Sequence, residues 1–161
     1  MTGVERLNGL GAEEAQAELL ACCGSTAWAR RMAEERPFRD LDHLRETAER
    51  VWGELTREDW LEAFRAHPRI GDPKATGRAA REQVATRSAP PEVLAALAAG
   101  NRRYESRFGH VFLICATGKS AAEMVEELEK RLSNDRALEL RIAAAEQRKI
   151  TRLRLGGAFG Q

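Results

Sequence analysis

The run Val111-Phe112-Leu113-Ile114-Cys115-Ala116 constrains the fold more than any other feature of this chain. Gly109 and Gly118 bracket it, and it is too short for a helix of its own. It is also the one convincing strand-like run, and a lone strand cannot form a sheet. What remains is an all-α fold: a single-domain helical bundle over residues 1–161, with about eight helices and one short extended segment. An extended apolar piece in a helical protein carries backbone N–H and C=O groups to places helices cannot reach. Those groups need partners. A planar polar ligand can supply them, and so can side chains or water; both readings stay open.

Helical segments follow one another at about Ala12 to Cys22, Thr26 to Glu35, Leu41 to Trp52, Arg57 to Ala66, Gly77 to Thr86, Pro91 to Arg107, Ala121 to Leu132 and Arg136 to Leu153. Thr56-Arg57-Glu58-Asp59 is an acidic relative of the capping box, and Ser120 with Glu123 forms a regular one. Pro90-Pro91 suits a helix start. Met124, Val125, Leu128 and Leu132 recur at helical spacing. Trp28, Trp52 and Trp60 read as core, and the abundant Arg and Glu as solvated faces. The glycine-rich tail over 156–161 reads as loose. A chain of 161 residues is large enough to bury a real core.

The helix starting at Arg57 ends at a titratable residue. Trp60, Leu61 and Phe64 form its apolar stripe, and Pro68 disfavours helix at the residue before it. His67 therefore sits at a helix end among unpaired carbonyls, a setting that suits a protonated imidazole. Gly71 lets the chain turn sharply just beyond. An acid–base catalyst needs that placement, although a plain helix-capping histidine looks the same. Glu82-Gln83, inside a run of helix formers, offers a carboxylate beside an amide that can read N–H and C=O groups on a small ring; the plain alternative is a solvated helix face.

Other chemistries find little support. His43, His67 and His110 are widely spaced, and neither His-x-x-x-His nor Cys-x-x-Cys occurs, so no metal site is expected. There is no glycine-rich phosphate loop, and Ser25 and Ser120 read as helix caps rather than nucleophiles. A net charge of +1 suggests neither a nucleic-acid nor a membrane surface. No apolar stretch is long enough to span a bilayer, and Met1-Thr2-Gly3-Val4-Glu5-Arg6 does not read as a signal peptide. Three cysteines, two of them the adjacent Cys22 and Cys23, imply no disulfide framework and suit the cytoplasm.

Several segments together resemble the 2-oxo-4-hydroxy-4-carboxy-5-ureidoimidazoline (OHCU) decarboxylase family of purine catabolism. They are His67-Pro68-Arg69-Ile70-Gly71-Asp72, Glu82-Gln83, Tyr104 through Arg107-Phe108-Gly109, Val111-Phe112-Leu113-Ile114, Gly118-Lys119-Ser120 and Lys149-Ile150-Thr151-Arg152-Leu153-Arg154-Leu155. The opening, from Leu7-Asn8 through Cys22-Cys23-Gly24-Ser25 to Arg36-Pro37-Phe38, is also similar. The order matches across nearly the whole chain.

The resemblance implies a cofactor-free carboxy-lyase that converts a cyclic ureide carboxylate to (S)-allantoin and carbon dioxide, and a homodimer. It implies His67 as the acid–base residue, with Glu82 orienting substrate or His67. It implies substrate contacts from Pro68, Ala79, Gln83, Arg154 and the backbone of Phe112, Leu113, Ile114, Cys115 and Ala116. Many family members carry a serine where this chain has Ala79, so one hydroxyl contact is missing. Two rivals stand beside this reading: a hydrolase of a related cyclic ureide using His67 to activate water, and a non-catalytic helical binding module.

Overall fold

The computed structural model describes residues 1–72 and 77–161, with the backbone alone for 78–80. Among the described residues the secondary structure is all helical: α1 Gly3–Gly9, α2 Ala12–Leu20, α3 Thr26–Glu34, α4 Leu41–Gly53, α5 Arg57–Arg65, α6 Gly77–Glu82, α7 Pro91–Phe108, α8 Ala121–Arg131 and α9 Arg136–Phe159, with a 3₁₀ turn at Val84–Thr86. The all-α expectation holds, and the extended run between α7 and α8 pairs with no strand among the described residues.

The chain forms two compact units, one of residues 1–63 and 147–161, the other of residues 64–146. In the first, Trp28 is buried and its indole Nε1 donates to the Ala48 carbonyl at 3.2 Å, tying α3 to α4. Trp52 stacks on Trp60 with ring centroids 5.8 Å apart. Both expected caps form: Thr56 Oγ1 accepts from Asp59 N at 3.3 Å, and Ser120 with Glu123 closes a full box.

Three differences from the sequence reading have local causes. Helix α1 lay outside the expected set, although Thr2 and Glu5 close a capping box at its start. The segment expected as one helix from Gly77 to Thr86 breaks at Gln83, whose carbonyl accepts from both Thr86 N at 3.0 Å and Thr86 Oγ1 at 2.8 Å. That hydroxyl diverts the last turn into 3₁₀ geometry. The tail expected to be loose is helical through Phe159, whose side chain is buried. A Cβ on Gly3 would lie 2.6 Å from the Phe159 backbone, so a glycine lets α1 approach the end of α9. The Arg6 guanidinium covers the Phe159 ring at 5.7 Å.

The core of the second unit joins Leu97, Tyr104 and Phe108 of α7, Met124 and Leu128 of α8, and Ile70, Phe112, Ile114 and Ala116. The extended run is thus a core element. Beside it lies a polar network that contradicts the reading of Arg and Glu as solvated faces. Arg131 and Glu139 are 2% and 0% exposed, and Arg131 Nε donates to Glu139 Oε1 at 2.6 Å. Glu139 also accepts from the Tyr104 hydroxyl at 2.5 Å and from Asn134 Nδ2 at 3.1 Å. Burial, then the bond to Glu139, pushes the Tyr104 phenol up, so it stays a neutral donor.

Candidate active site

The second unit contains every predicted site residue except Arg154. Helix α5 stops at Arg65, and His67 follows in a bend with its N–H donating to the Phe64 carbonyl at 3.1 Å. The proline behind it ends the helix as expected, and His67 is half-buried.

The next residues form a tight turn. Asp72 N donates to the Arg69 carbonyl at 3.1 Å, and Gly71 adopts φ +82°. Positive φ at the third position marks a type II turn, which favours glycine there. Three side chains fasten the turn. Asn101 Nδ2 donates to the Ile70 carbonyl at 3.0 Å. Gly71 N donates to Gln83 Oε1 at 2.9 Å. Arg69 grips Glu105 through two bonds of 2.7 and 2.9 Å. This last pair is largely exposed and contributes modestly.

The bond from Gly71 to Gln83 brings two predicted motifs together. Glu82 precedes Gln83 directly, so the carboxylate at the end of α6 is tied to the turn behind His67. Gln83 is only 7% exposed, and one end of its amide is occupied by the turn itself. The Ala79 side chain lies outside the described residues.

Side chains hold the extended run on both sides. The Leu113 carbonyl accepts from Arg131 Nη1 at 2.8 Å, and Cys115 N donates to Glu146 Oε1 at 2.9 Å. The plain reading, partners from side chains, therefore holds for these two groups. Phe112 is buried under Arg131, whose guanidinium lies 4.6 Å from the ring. His110, one residue before the run, packs on Phe64 at 5.3 Å and Tyr104 at 5.5 Å between ring centroids.

Arg154 lies on α9 in the first unit, half-buried. It shares that unit with Cys23, whose thiol burial pushes up to about 12, opposed by hydrogen bonds from Ser25 and Thr151 and by the Arg154 charge. Such a thiol is neutral and no nucleophile near neutral pH. Among the described residues no three His, Cys, Asp or Glu side chains are placed to hold a metal ion. None of the helices is long and apolar enough to cross a membrane, again among the described residues.

Sequence reasoning missed Asn101, Arg131, Glu139 and Glu146. A signal existed. Leu97, Asn101, Tyr104 and Phe108 fall at helical spacing on one face, as do Met124, Leu128 and Arg131, and Glu139, Ala143, Glu146 and Ile150. A polar residue in phase with an apolar stripe is buried and needs a partner.

The OHCU decarboxylase family model matches residues 8–156. The chain belongs to the OHCU decarboxylase family. It is 38% identical over 151 residues to the uric acid degradation bifunctional protein TTL of Arabidopsis thaliana, covering 88% of this chain and 46% of that protein. The chain thus spans about half the length of that relative. It is 28% identical over 137 residues to the 2-oxo-4-hydroxy-4-carboxy-5-ureidoimidazoline decarboxylase of Haloferax volcanii, covering 81% of this chain and 80% of the relative. A crystal structure of OHCU decarboxylase in the presence of (S)-allantoin superposes with a TM-score of 0.82 at 37% identity, over 89% of this chain and 98% of that one. The latter two relatives are decarboxylases by name, hence carboxy-lyases, and the first is named for urate breakdown.

Proposed function

We propose that this chain decarboxylates 2-oxo-4-hydroxy-4-carboxy-5-ureidoimidazoline to (S)-allantoin and carbon dioxide, using its own side chains and no cofactor. The observation that carries the proposal is the bond from Gly71 to Gln83, which ties the Glu82 motif to the turn behind His67. The match to a decarboxylase structure solved with (S)-allantoin supports it. Because the family model covers residues from both units, we read 1–161 as one working domain.

The substrate is a five-membered ring whose tetrahedral carbon carries a hydroxyl and a carboxylate. Breaking the carbon–carboxylate bond releases an electron pair into the adjoining ring C=N bond, leaving an enol in which the hydroxyl-bearing carbon is doubly bonded to the ureido-bearing carbon. Carbon dioxide departs, the hydroxyl gives up its proton to become a ring carbonyl, and a proton must reach one face of the neighbouring ureido-bearing carbon. His67 acts here as the acid–base group: it hydrogen-bonds the hydroxyl or carboxylate region, favouring departure, and serves the proton transfer. Glu82 orients His67 or the substrate. Gln83 meets the ureido or ring amide with the part of its amide that the turn does not use, and Pro68 shapes the pocket wall.

The run from Phe112 to Ala116 forms another wall, where backbone groups meet polar atoms of the ring. Arg131 and Glu146 hold its Leu113 carbonyl and Cys115 N–H, which keeps that backbone from sliding. Arg154 pairs with the carboxylate before it leaves, since a guanidinium offers a planar bidentate fork. Ala79 supplies no hydroxyl, a loss of about 0.5–1.5 kcal/mol for one hydrogen bond. We place the enzyme in the cytoplasm as a homodimer. Three cysteines without a disulfide and a charge near zero support the location.

The test separates decarboxylation from hydrolysis. Freshly generated substrate is supplied and carbon dioxide release is followed. One equivalent released at an enzyme-dependent rate supports the proposal. Substrate consumed with ring opening and no carbon dioxide supports the hydrolase, and no acceleration at all supports a binding module.

A further inference from the structure

Two carboxamides grip opposite sides of one peptide plane. The Ile70 carbonyl and the Gly71 N–H belong to the same peptide unit, the central one of the turn after His67. Asn101 Nδ2 holds the carbonyl at 3.0 Å and Gln83 Oε1 holds the N–H at 2.9 Å. That plane is what distinguishes a type II turn from type I: the two differ by flipping it. A flipped plane would point the carbonyl at the Gln83 oxygen and the N–H at the Asn101 amino group. Both contacts would become repulsive unless both buried carboxamides also turned over, so the pair favours the arrangement seen.

Asn101 gives up something for this. It is 3% exposed, and among the described residues its Oδ1 has no hydrogen-bond partner. A leucine of similar size would leave no orphaned oxygen, and an unpartnered buried acceptor in a native structure calls for an explanation. The donor on the same side chain supplies one. Asn101 also sits centrally on its face of α7. One turn before it, Leu97 comes within 3.6 Å of where a Gly71 Cβ would lie; one turn after it, Glu105 takes Arg69. The whole turn lies along this stripe.

We infer that Asn101 is a positioning residue for His67: with Gln83 it locks the Ile70–Gly71 peptide and so sets where His67 stands relative to Glu82. The inference rests on the proposed decarboxylase reading for what His67 does, and on geometry alone for the lock. Asn101 acts through the backbone and touches no reacting atom. A misplacement of about 1 Å is enough to slow an enzyme by about 10²-fold.

The test uses the full-length chain with Asn101→Leu, and Asn101→Asp as a second variant of the same shape that exchanges the donor for an acceptor. Asn101→Leu removes the lock and the orphaned oxygen together. The expected result is a kcat lowered about 10- to 100-fold with KM within about twofold, while thermal stability falls only modestly, because the Ile70 carbonyl loses its donor as the orphaned oxygen is removed. The Gly71 amide, followed by NMR hydrogen exchange, should exchange at least about tenfold faster than in the wild type. A merely structural asparagine predicts instead that activity follows the folded fraction. A kcat within twofold of wild type in both variants overturns the inference, as does a kcat loss that tracks unfolding or a Gly71 amide whose exchange is unchanged. Should Asn101→Leu fail to fold, Asn101→Asp is judged by the same criteria. If the wild type does not decarboxylate, the functional reading falls, and Gly71 exchange in the variants still decides the lock.

Discussion

Replacing Glu139 with glutamine should destabilise the second unit severely. Glu139 is wholly buried and accepts from Arg131, Tyr104 and Asn134. Glutamine keeps the size and one acceptor but removes the charge. Arg131, 2% exposed, would then keep the Leu113 carbonyl and the face of Phe112 as its main partners. Removing one partner of a buried ion pair costs about 3–5 kcal/mol, because the other charge stays stranded away from water. The retained acceptor and the ring face place this case near the lower figure. A domain is stable by about 5–15 kcal/mol, so the loss takes a large share. At a denaturant slope of about 2 kcal/mol per molar, the urea midpoint should fall by about 1.5 M. Urea unfolding followed by far-ultraviolet circular dichroism measures this directly. Removing the exposed Arg6–Glu18 pair by Glu18→Gln, which leaves Arg6 over the Phe159 ring, is the control and should leave the midpoint nearly unmoved. A Glu139→Gln midpoint shifted by less than about 0.5 M would mean that Arg131 reaches water, and would refute the account of a dry network holding the extended run.

Further consequences concern the chemistry. His67→Asn, folded normally, should lose about 10²–10⁴-fold in turnover, read by steady-state kinetics; near-full activity would remove His67 from its role. Dialysis against a strong chelator should leave the rate unchanged, and loss restored by one divalent ion would contradict this. Arg154→Lys should weaken substrate far more than allantoin, which lacks the carboxylate, whereas Glu82→Gln should lower turnover more than affinity; inhibition constants for allantoin on both variants check the difference. Cys23 has its thiol raised from the ordinary 9.0 to about 12, so the fold favours the neutral form. That contribution is full below about pH 9 and is lost as pH rises toward about 12, and the native thiol should resist iodoacetamide until the protein unfolds.

Much of the architecture was legible because it rests on local rules. The Thr56 and Ser120 caps, Pro68 behind His67 and the apolar spacing of α8 each act within a few residues, and each appears where the pattern puts it. The extended run could be recognised as extended, since six apolar residues between glycines can neither make a helix nor find a sheet. What holds it could not be read so directly. Arg131 and Glu146 reach the run from α8 and α9, and charged residues are ordinarily solvated. Only their phase with an apolar stripe marks them as buried. The tail misled for a similar reason. Glycines suggest looseness, yet the close approach of Gly3 to the Phe159 backbone and the buried Phe159 ring keep α9 helical to that point. In the candidate site, the turn at Gly71 was foreseeable from the glycine. That Gln83 spends one end of its amide on that turn was not, because the bond depends on how α6 ends, and the Thr86 hydroxyl decides that.

The central claim is that, once one ring carbon has lost carbon dioxide, this chain delivers a proton to one face of the neighbouring ureido-bearing carbon. Without an enzyme, the planar enol is protonated at its ureido-bearing carbon from either side and racemic allantoin results. The most direct measurement is therefore circular dichroism of allantoin formed from freshly generated 2-oxo-4-hydroxy-4-carboxy-5-ureidoimidazoline, with wild type and with His67→Asn. The account predicts a growing (S)-allantoin signal with wild type and its near absence with the variant. Allantoin that stays racemic with wild type at high enzyme concentration would contradict it.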